Sequence, residues 1–363
     1  MRNWILRGFI LLLILPLAHS APPLVVLGSP QAVVTQHPLT CVHTRVTDEV
    51  EAWKILRTFE LVRQMGAPTI VEFFPWAYYE SERGQYHWEH ADARIDYARN
   101  QGLTVIARLG GMVPEYARRA EDGSPTVSTL LPEEHYADFG DFVFAFVSRY
   151  KDRVRHIIIW NEPNVAGEWG FRRVDPESYT RLLQLAYTRA KEADASLQVL
   201  GGALAPTLGA GDGELALDDL TYLERMYAAG AGAAMDALAV HAYGLRFPPE
   251  EPPARDVVNF RRTELLREIM AANGDADKPI YITEMGWNDS PRWTQAVKPL
   301  VRVDYTLRAL EWAEQNWPGV RAACIWAFRY PAPQRSYGDY YTLVTPDFAL
   351  KPIYEAIKQW TQP

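Results

Sequence analysis

The chain has 363 residues, with 37 Lys and Arg, 45 Asp and Glu and 8 His, so its formal net charge is −8. Its apolar share of 48% and charged share of 23% are those of a globular protein and exclude disordered, collagen-like and multi-span membrane classes. The acidic balance argues against a general nucleic-acid binder, because such proteins need a basic surface to neutralise phosphates. The 12 Trp and 19 Tyr mildly favour a carbohydrate site, since flat aromatic faces stack on sugar rings.

The N-terminal residues have the layout of a secretory signal peptide. Two arginines precede an unbroken apolar run over 9–15, Pro16 interrupts this run, and small residues precede a cleavage position between Ser20 and Ala21. This pattern predicts export of a secreted protein. The alternative is an uncleaved membrane anchor through residues 4–18, although the proline makes a spanning helix poor.

From residue 39 onward, short β-rich segments alternate with amphipathic helical segments. The β-rich segments are nearly continuous apolar runs, which is typical of parallel strands covered on both faces. They lie at 39–46, 68–74, 104–109, 155–161, 197–203, 236–243, 279–284 and 320–327. The first helical segment follows Asp48, a candidate N-cap, and the others lie at 88–101, 133–151, 176–194, 217–229, 257–273, 294–316 and 352–361.

This alternation predicts a (β/α)8 TIM barrel of class α/β as a single domain over 38–363, after a signal peptide over 1–20 and a linker over 21–37. The alternative is an open doubly wound sheet, but no dinucleotide-binding glycine pattern follows the first strand. The loops that leave the strands are longer than those that enter them. We therefore expect the site at the face that carries the strand C-termini, where barrel active sites are built.

Two glutamates stand at the ends of predicted strands. Glu162 lies in the segment WNEPN (160–164) at the end of the fourth strand, and Glu284 lies in ITEMGW (282–287) at the end of the seventh. These strands occupy roughly opposite sides of an eight-stranded ring, so both carboxyl groups can point into one cleft. Two carboxyl groups facing across a sugar cleft are the machinery of glycoside hydrolysis. The alternative interpretation is two unrelated, solvated loop acids.

The WNEPN segment resembles the strand-four motif of the clan A retaining glycoside hydrolases, as in families 5 and 39, which include cellulases and β-xylosidases. The ITEMGW segment resembles their strand-seven motif, and the stretch over 74–88 resembles the strand-two loop of secreted bacterial members. The resemblance covers about residues 38–361.

The resemblance implies a role for each matching residue. Glu162 corresponds to the acid/base and Glu284 to the nucleophile, with their carboxyl groups about 5–5.5 Å apart. Asn161 corresponds to the asparagine that hydrogen-bonds the sugar 2-hydroxyl. His241 and Tyr243, at the end of the sixth strand, fall where the family places a His or Tyr against the nucleophile.

Further substrate-binding candidates come from other strands and loops. Trp326, in the eighth strand, falls where the family often has an aromatic floor beneath the sugar. Many family 5 members have an Arg at the end of strand two and a His at the end of strand three; this chain has neither, so Arg108 is the candidate cation. Trp287 is a candidate sugar contact from the mouth loops. Weaker candidates are His43 and Arg45 in strand one and the loop aromatics Trp76, Trp169 and Tyr330.

We therefore expect a retaining glycoside hydrolase that cleaves β-linked glycosides or polysaccharides through a glycosyl-enzyme, without metal or cofactor. The expected partner is a carbohydrate substrate and not nucleic acid; the protein is expected to be a monomer, and to meet a membrane only if its N-terminal segment is uncleaved. The alternatives are a transglycosylase, which forms the same intermediate, and a non-catalytic glycan-binding barrel.

The chain has only two cysteines, Cys41 and Cys324, on the first and last predicted strands. These strands are neighbours in a closed barrel, but alternate strands fill alternate core layers. The sequence therefore predicts two buried free thiols and no disulfide.

Overall fold

The computed structural model describes residues 27–118, 126–209 and 212–363, and its central feature is a closed barrel of eight parallel strands. The barrel strands are β1 (Thr40–His43), β2 (Thr69–Pro75), β5 (Thr104–Gly110), β6 (His156–Ile159), β7 (Gln198–Leu204), β8 (Ala237–Tyr243), β9 (Ile280–Gly286) and β10 (Val320–Ile325). They are neighbours in chain order, and β10 pairs with β1 to close the ring. The prediction of a (β/α)8 barrel is confirmed, and the alternative of an open sheet is wrong. The predicted signal peptide over 1–20 lies outside the described residues.

Helices connect the strands and cover the outside of the barrel. They are α1 (Ala52–Gln64), α2 (Trp76–Tyr79), α3 (Glu89–Asn100), α4 (Tyr136–Tyr150), α5 (Pro176–Ala193), α6 (Asp219–Ala228), α7 (Arg262–Ala272), α8 (Pro299–Asn316) and α9 (Pro352–Thr361). The loop after β2 contains α2 and a two-stranded hairpin of β3 (Glu80–Glu82) and β4 (Gln85–Tyr86). Within the described ranges, no helix combines the length and apolarity of a membrane span.

Local sequence explains where some helices begin, and one expectation fails. At α5, the Asp175 side chain accepts a hydrogen bond from the Ser178 N–H at 2.9 Å, and a proline follows at the first helical position. The proposed N-cap at Asp48 is wrong, because α1 begins only at Ala52. The Asp48 carboxylate instead accepts a hydrogen bond from the Tyr78 hydroxyl at 2.7 Å, so it ties two mouth loops together.

A buried carboxylate fixes the loop that follows β1. Glu72, in β2, accepts hydrogen bonds from the Thr44 hydroxyl, the Val46 N–H at 3.2 Å and the Thr47 hydroxyl at 2.6 Å. Its charge is balanced by Arg94, whose guanidinium donates to it at 3.1 Å. Because both groups are buried and bonded, neither charge is left uncompensated. The backbone on both sides of Arg45 is therefore held in place.

The two cysteines form a disulfide, so the expectation of two free thiols is wrong. The argument from alternating layers fails because Cys41 and Cys324 are register partners across β1 and β10, with Cα atoms 4.0 Å apart. Both side chains lie in the apolar cluster inside the barrel, beside Val71 and Ala322. The bond links the first and last strands of the ring.

We predict that thiol titration of the unfolded, unreduced protein finds no free thiols, and that reduction exposes two. Either Cys41→Ala or Cys324→Ala should lower the free energy of unfolding by about 2–5 kcal/mol, because the bond joins positions 283 residues apart. Chemical denaturation measures this loss, and the double variant, as control, should lose little more than either single variant. Two titratable thiols before reduction would contradict the prediction.

Candidate active site

The two glutamates singled out by sequence stand at the mouth of the barrel. Glu284 lies within β9, near its C-terminal end, and Glu162 lies three residues beyond β6. The backbone at Glu162 is left-handed (φ 41°), and its N–H donates to the Ala203 carbonyl oxygen at 2.9 Å, which anchors the turn on the neighbouring strand β7. The turn brings the Glu162 side chain into the same cavity as Glu284.

The two carboxyl groups face each other across a cavity of about 620 Å³. Carboxylate oxygens of Glu162 and Glu284 lie within 4.8 Å of each other, and a ring nitrogen of His241 lies within the same distance of both. This volume lies in the range of small-molecule sites.

Glu284 is held by two donors. The Arg108 guanidinium donates to its Oε1 at 3.1 Å, and the Tyr243 hydroxyl donates to its Oε2 at 2.7 Å. Burial, and then the charge of Glu284, raise the pKa of Tyr243 well above its ordinary value, so this hydroxyl stays a donor. Both oxygens of Glu284 therefore accept a hydrogen bond, one from a cation and one from a hydroxyl, which fixes the orientation of the carboxylate.

Arg108 joins Glu284 to Asn161. The same guanidinium nitrogen that contacts Glu284 donates to the Asn161 Oδ1 at 2.7 Å. Burial lowers the pKa of Arg108, while the charge of Glu284 acts in the opposite direction. Arg108 thus fixes the side-chain oxygen of Asn161, and both residues line the cavity.

His241 connects the two glutamates. Its Nδ1 lies 2.8 Å from Glu162 Oε1 and 3.6 Å from Glu284 Oε2. Burial alone would lower the pKa of His241, but the negative charges of Glu284 and Glu162 and the hydrogen bond to Glu162 raise it overall. The family resemblance predicted that His241 or Tyr243 lies against Glu284. In the structure the shorter contact of His241 is with Glu162.

The exposure of the two carboxyl groups differs. The Glu162 side chain keeps 22% of its surface exposed, whereas Glu284 keeps 6%. A group that exchanges protons with water needs such access, and a group that forms a covalent bond is better shielded from it. The geometry therefore gives the two glutamates different chemical surroundings in one cavity.

An aromatic wall borders the cavity beside β10. Trp326 lines the cavity, joined to Ala327 by a cis peptide bond, and its indole N–H donates to the Tyr330 hydroxyl at 3.1 Å. The His43 ring packs edge-on against Trp326, with ring centroids 4.6 Å apart. Trp326 and Tyr330 are the aromatic candidates that the structure brings to the cavity, while His43 lies buried behind Trp326.

Three aromatic candidates do not line this cavity. Trp287 is buried, donates from its indole to the Phe247 carbonyl oxygen at 2.8 Å and packs against Gly244, so its assignment as a sugar contact is not supported. Trp76, the first residue of α2, packs against Phe139 and Phe142 of α4, and Trp169 packs against Trp160. These three indoles are therefore packing residues that support the mouth loops.

Sequence reasoning missed a third glutamate in the cavity. Glu168 lines it from the loop after β6, and burial, followed by the charge of Glu162, raises its pKa. Trp293 and Tyr341 were also missed, although both lie in the long loops after β9 and β10 and line the cavity. Loop length was the available signal, because it marked the segments that cover the strand C-termini.

The same site offers the atoms of a cation-binding group. Glu162, His241 and Glu284 each present one ligand atom within 4.8 Å of the others. Both oxygens of Glu284, however, already accept hydrogen bonds from Arg108 and Tyr243. A metal ion would have to compete with the positive charge of Arg108, so the arrangement fits the paired-carboxyl chemistry better.

Residues 133–332, more than half of the chain, match the family described as glycosyl hydrolase catalytic core. This segment begins three residues before α4 and ends in the loop after β10, and it contains both glutamates. No curated protein sequence matches the chain.

Several solved structures share the fold. A family 39 glycoside hydrolase from Bacteroides cellulosilyticus WH2 aligns with a TM-score of 0.69 at 22% identity, over 92% of this chain and 65% of that one. A monomeric β-xylosidase from Caulobacter crescentus CB15 gives 0.66 at 21% identity, over 91% and 69%. A GH5_18 protein from Streptomyces cattleya, in complex with GlcNAc, gives 0.66 at 15% identity, over 92% and 79%. The chain thus spans about two thirds of the family 39 neighbours, and the resemblance to families 5 and 39 is confirmed.

We predict that His241 stabilises the fold more in acid than in base. Its folded-state pKa is raised, so its contribution is complete below the unfolded value of about 6.5 and is lost as the pH rises through the higher folded value. The penalty of His241→Gln in free energy of unfolding should therefore be larger at about pH 5.5 than at about pH 8.5.

His156 is the matched control, because burial lowers its pKa. The penalty of His156→Gln should show the opposite trend and grow with pH. Denaturant titrations of both variants at the two pH values measure this difference. A pH-independent penalty for His241→Gln would contradict the prediction.

Proposed function

Because this chain belongs to the glycosyl hydrolase catalytic core family, we propose that it hydrolyses β-linked glycosides with retention of configuration. The observation that carries the proposal is the approach of the Glu162 and Glu284 carboxylate oxygens to within 4.8 Å. Retaining enzymes hold the two carboxyl groups about 5–5.5 Å apart, whereas inverting enzymes need about 6.5–9.5 Å to admit a water molecule between them. The short separation supports retention.

The surroundings of the two groups support their division of labour. Glu284 is shielded, and Arg108 and Tyr243 fix both of its oxygens in position, which suits a nucleophile. Glu162 is more exposed and contacts the dissociable imidazole of His241, which suits a group that gives and takes protons. In this proposal Glu162 is the acid/base and Glu284 the nucleophile.

The reaction proceeds in two displacements. Glu162 gives its proton to the leaving glycosidic oxygen while Glu284 attacks the anomeric carbon, so the C–O bond to the leaving group breaks and an ester to Glu284 forms. Glu162, now a carboxylate, then removes a proton from water, which attacks the same carbon and releases Glu284. In this proposal the sugar contacts Asn161 and Trp326, which both line the cavity.

We propose that the protein is exported, because the N-terminal residues have a signal-peptide layout and a disulfide is buried in the barrel. Disulfides persist mainly in oxidising compartments, so the Cys41–Cys324 bond supports export.

Export predicts a mature N-terminus at Ala21. Expression of the full chain in a secreting host should yield protein that lacks residues 1–20, as read by intact mass and N-terminal sequencing. A control variant in which an arginine replaces one apolar residue within 9–15 should remain inside the cell, because the charge interrupts the apolar run. Membrane-bound protein of full length would instead indicate an uncleaved anchor.

The roles of the two glutamates can be read from azide products. Glu162→Ala should lower kcat/KM by about 10²–10⁴-fold for glycosides with poor leaving groups and much less for activated aryl glycosides. Azide needs no general base and should intercept the ester on Glu284, which gives a β-glycosyl azide after two displacements. Glu284→Ala leaves space beneath the anomeric carbon, so azide attacks once and gives the α-azide.

NMR of the azide products, from an activated aryl β-glycoside, measures the outcome. Glu168→Ala is the matched control, since it removes a cavity glutamate that the mechanism does not use for bond making, and it should yield no azide product. Exchanged anomers would reverse the two assignments. Full wild-type activity of either Glu162→Ala or Glu284→Ala would move the chemistry elsewhere.

A further inference from the structure

Arg45 is a cation in the cavity that forms no ion pair with any residue in the part of the chain that the structure describes. Arg45 lines both the main cavity and a second cavity of about 200 Å³, which is also lined by Gly110 and Gly111. Over the ranges 27–118, 126–209 and 212–363, its guanidinium makes no hydrogen bond or ion pair with the protein. It lies only over aromatic faces, 5.2 Å from the Trp326 ring centre and 5.6 Å from that of Tyr330.

The position of Arg45 is fixed by its neighbours. Its backbone is left-handed (φ 59°), a conformation that non-glycine residues adopt at a cost and keep only where the surroundings enforce it. Here the buried Glu72 binds Thr44 and Val46 on either side, and the Thr44 N–H also donates to the Val71 carbonyl oxygen at 3.1 Å. The clamp on Glu72 thus holds Arg45 where its side chain reaches the cavity.

Other arginines buried in the described part of the chain are paired. The fully or nearly fully buried guanidinium groups each donate to at least one carboxylate. These groups belong to Arg94, Arg108, Arg262, Arg302 and Arg329. Arg45 is half-buried and, unlike these groups, pairs with no carboxylate in the described part of the chain; its guanidinium donors are available to a ligand in the cavity.

The charge of Arg45 acts on the site. Burial is the main reason that the pKa of His43 lies well below its ordinary value, and the charges of Arg108 and Arg45 lower it further. Burial lowers the pKa of Arg108, and the charge of Arg45 lowers it further. Burial raises the pKa of Tyr330, and the charge of Arg45 acts in the opposite direction. Arg45 therefore adds positive charge to the cavity beside Trp326 and Tyr330.

We propose that Arg45 binds the anionic substituent, carboxylate or sulfate, of a sugar that packs on Trp326 and Tyr330, so that the substrates are acidic β-glycosides such as uronides. A guanidinium offers a planar pair of donors that matches a carboxylate, and such charge-assisted bonds are stronger than those to hydroxyl groups. The aromatic faces beneath it exclude water on one side, which strengthens the pairing. This proposal rests on the proposed glycoside hydrolysis at the same site.

Long-range attraction does not supply the preference. The net charge of the chain is −8, so an acidic glycoside is repelled at a distance and gains only on contact with the cavity. The preference should therefore persist at high ionic strength, where screening removes long-range effects but spares a partly buried pair.

The test compares substrates that differ only in the acidic group. The set consists of 4-nitrophenyl β-glucuronide, β-glucoside and 6-sulfo-β-glucoside, with the corresponding galacto-configured compounds. For the wild type, kcat/KM should favour a uronide or a sulfated glycoside over its neutral counterpart by at least about tenfold. Whichever acidic member is preferred identifies the source of the anion.

Arg45→Met should reduce this ratio by at least about tenfold, to near one, since one partner of a desolvated charge pair is removed. Arg45→Lys keeps the charge but not the planar fork, and it should lose less. Arg246→Met is the matched control: this exposed arginine follows β8, lies over Phe247 and does not line the cavity, so the ratio should stay at the wild-type value.

Other outcomes separate the two proposals. Equal or better hydrolysis of neutral glycosides, with a ratio that Arg45→Met does not change, would overturn the role of Arg45 and leave glycoside hydrolysis standing. If no aryl glycoside is cleaved, the proposed function fails. Calorimetric measurement of glucuronate and glucose binding then tests whether Arg45 binds an anion. Glucuronate that binds the wild type more tightly than glucose, but not Arg45→Met, would support the anion site; equal binding would refute it.

Discussion

The closure of the barrel between β1 and β10 is the constraint on which the site depends. Parallel pairing of Cys41 with Cys324 sets the register at this seam, and their disulfide makes the seam covalent. Once the ring is closed, the C-terminal ends of all eight strands meet at one mouth. Glu162 and Glu284, which are far apart in sequence, come within 4.8 Å only because of this geometry.

The buried charge of Glu284 at the mouth of the barrel is offset by the neighbouring cation Arg108. One guanidinium nitrogen of Arg108 donates hydrogen bonds to both Glu284 and Asn161. The same group therefore offsets the charge of the carboxylate and orients the amide. Removing such a partner from a desolvated pair leaves an uncompensated charge, which costs more than the pair itself contributes. The shielded position of Glu284 is therefore tolerable because Arg108 and Tyr243 accompany it.

A second buried pair acts indirectly. Glu72 and Arg94 do not line the cavity, yet the carboxylate of Glu72 binds the residues around Arg45 and determines where that side chain points. Many family 5 members carry an arginine at the end of the second strand, and the present chain departs from them there. In this barrel, β2 supports a cation from the loop after β1, which is a different way to place positive charge beside the aromatic wall.

The sequence alone determined the elements and the two glutamates, because strand and helix patterns are local and the WNEPN and ITEMGW segments are contiguous. The tertiary structure decided what depends on register and side-chain direction. Cys41 faces Cys324 because of a pairing that spacing alone does not reveal. Trp287 turns into the packing around Gly244 while Trp326 faces the cavity, although both follow strands that end at the mouth. A strand pattern fixes which residues alternate, but the closed ring decides which of them meet.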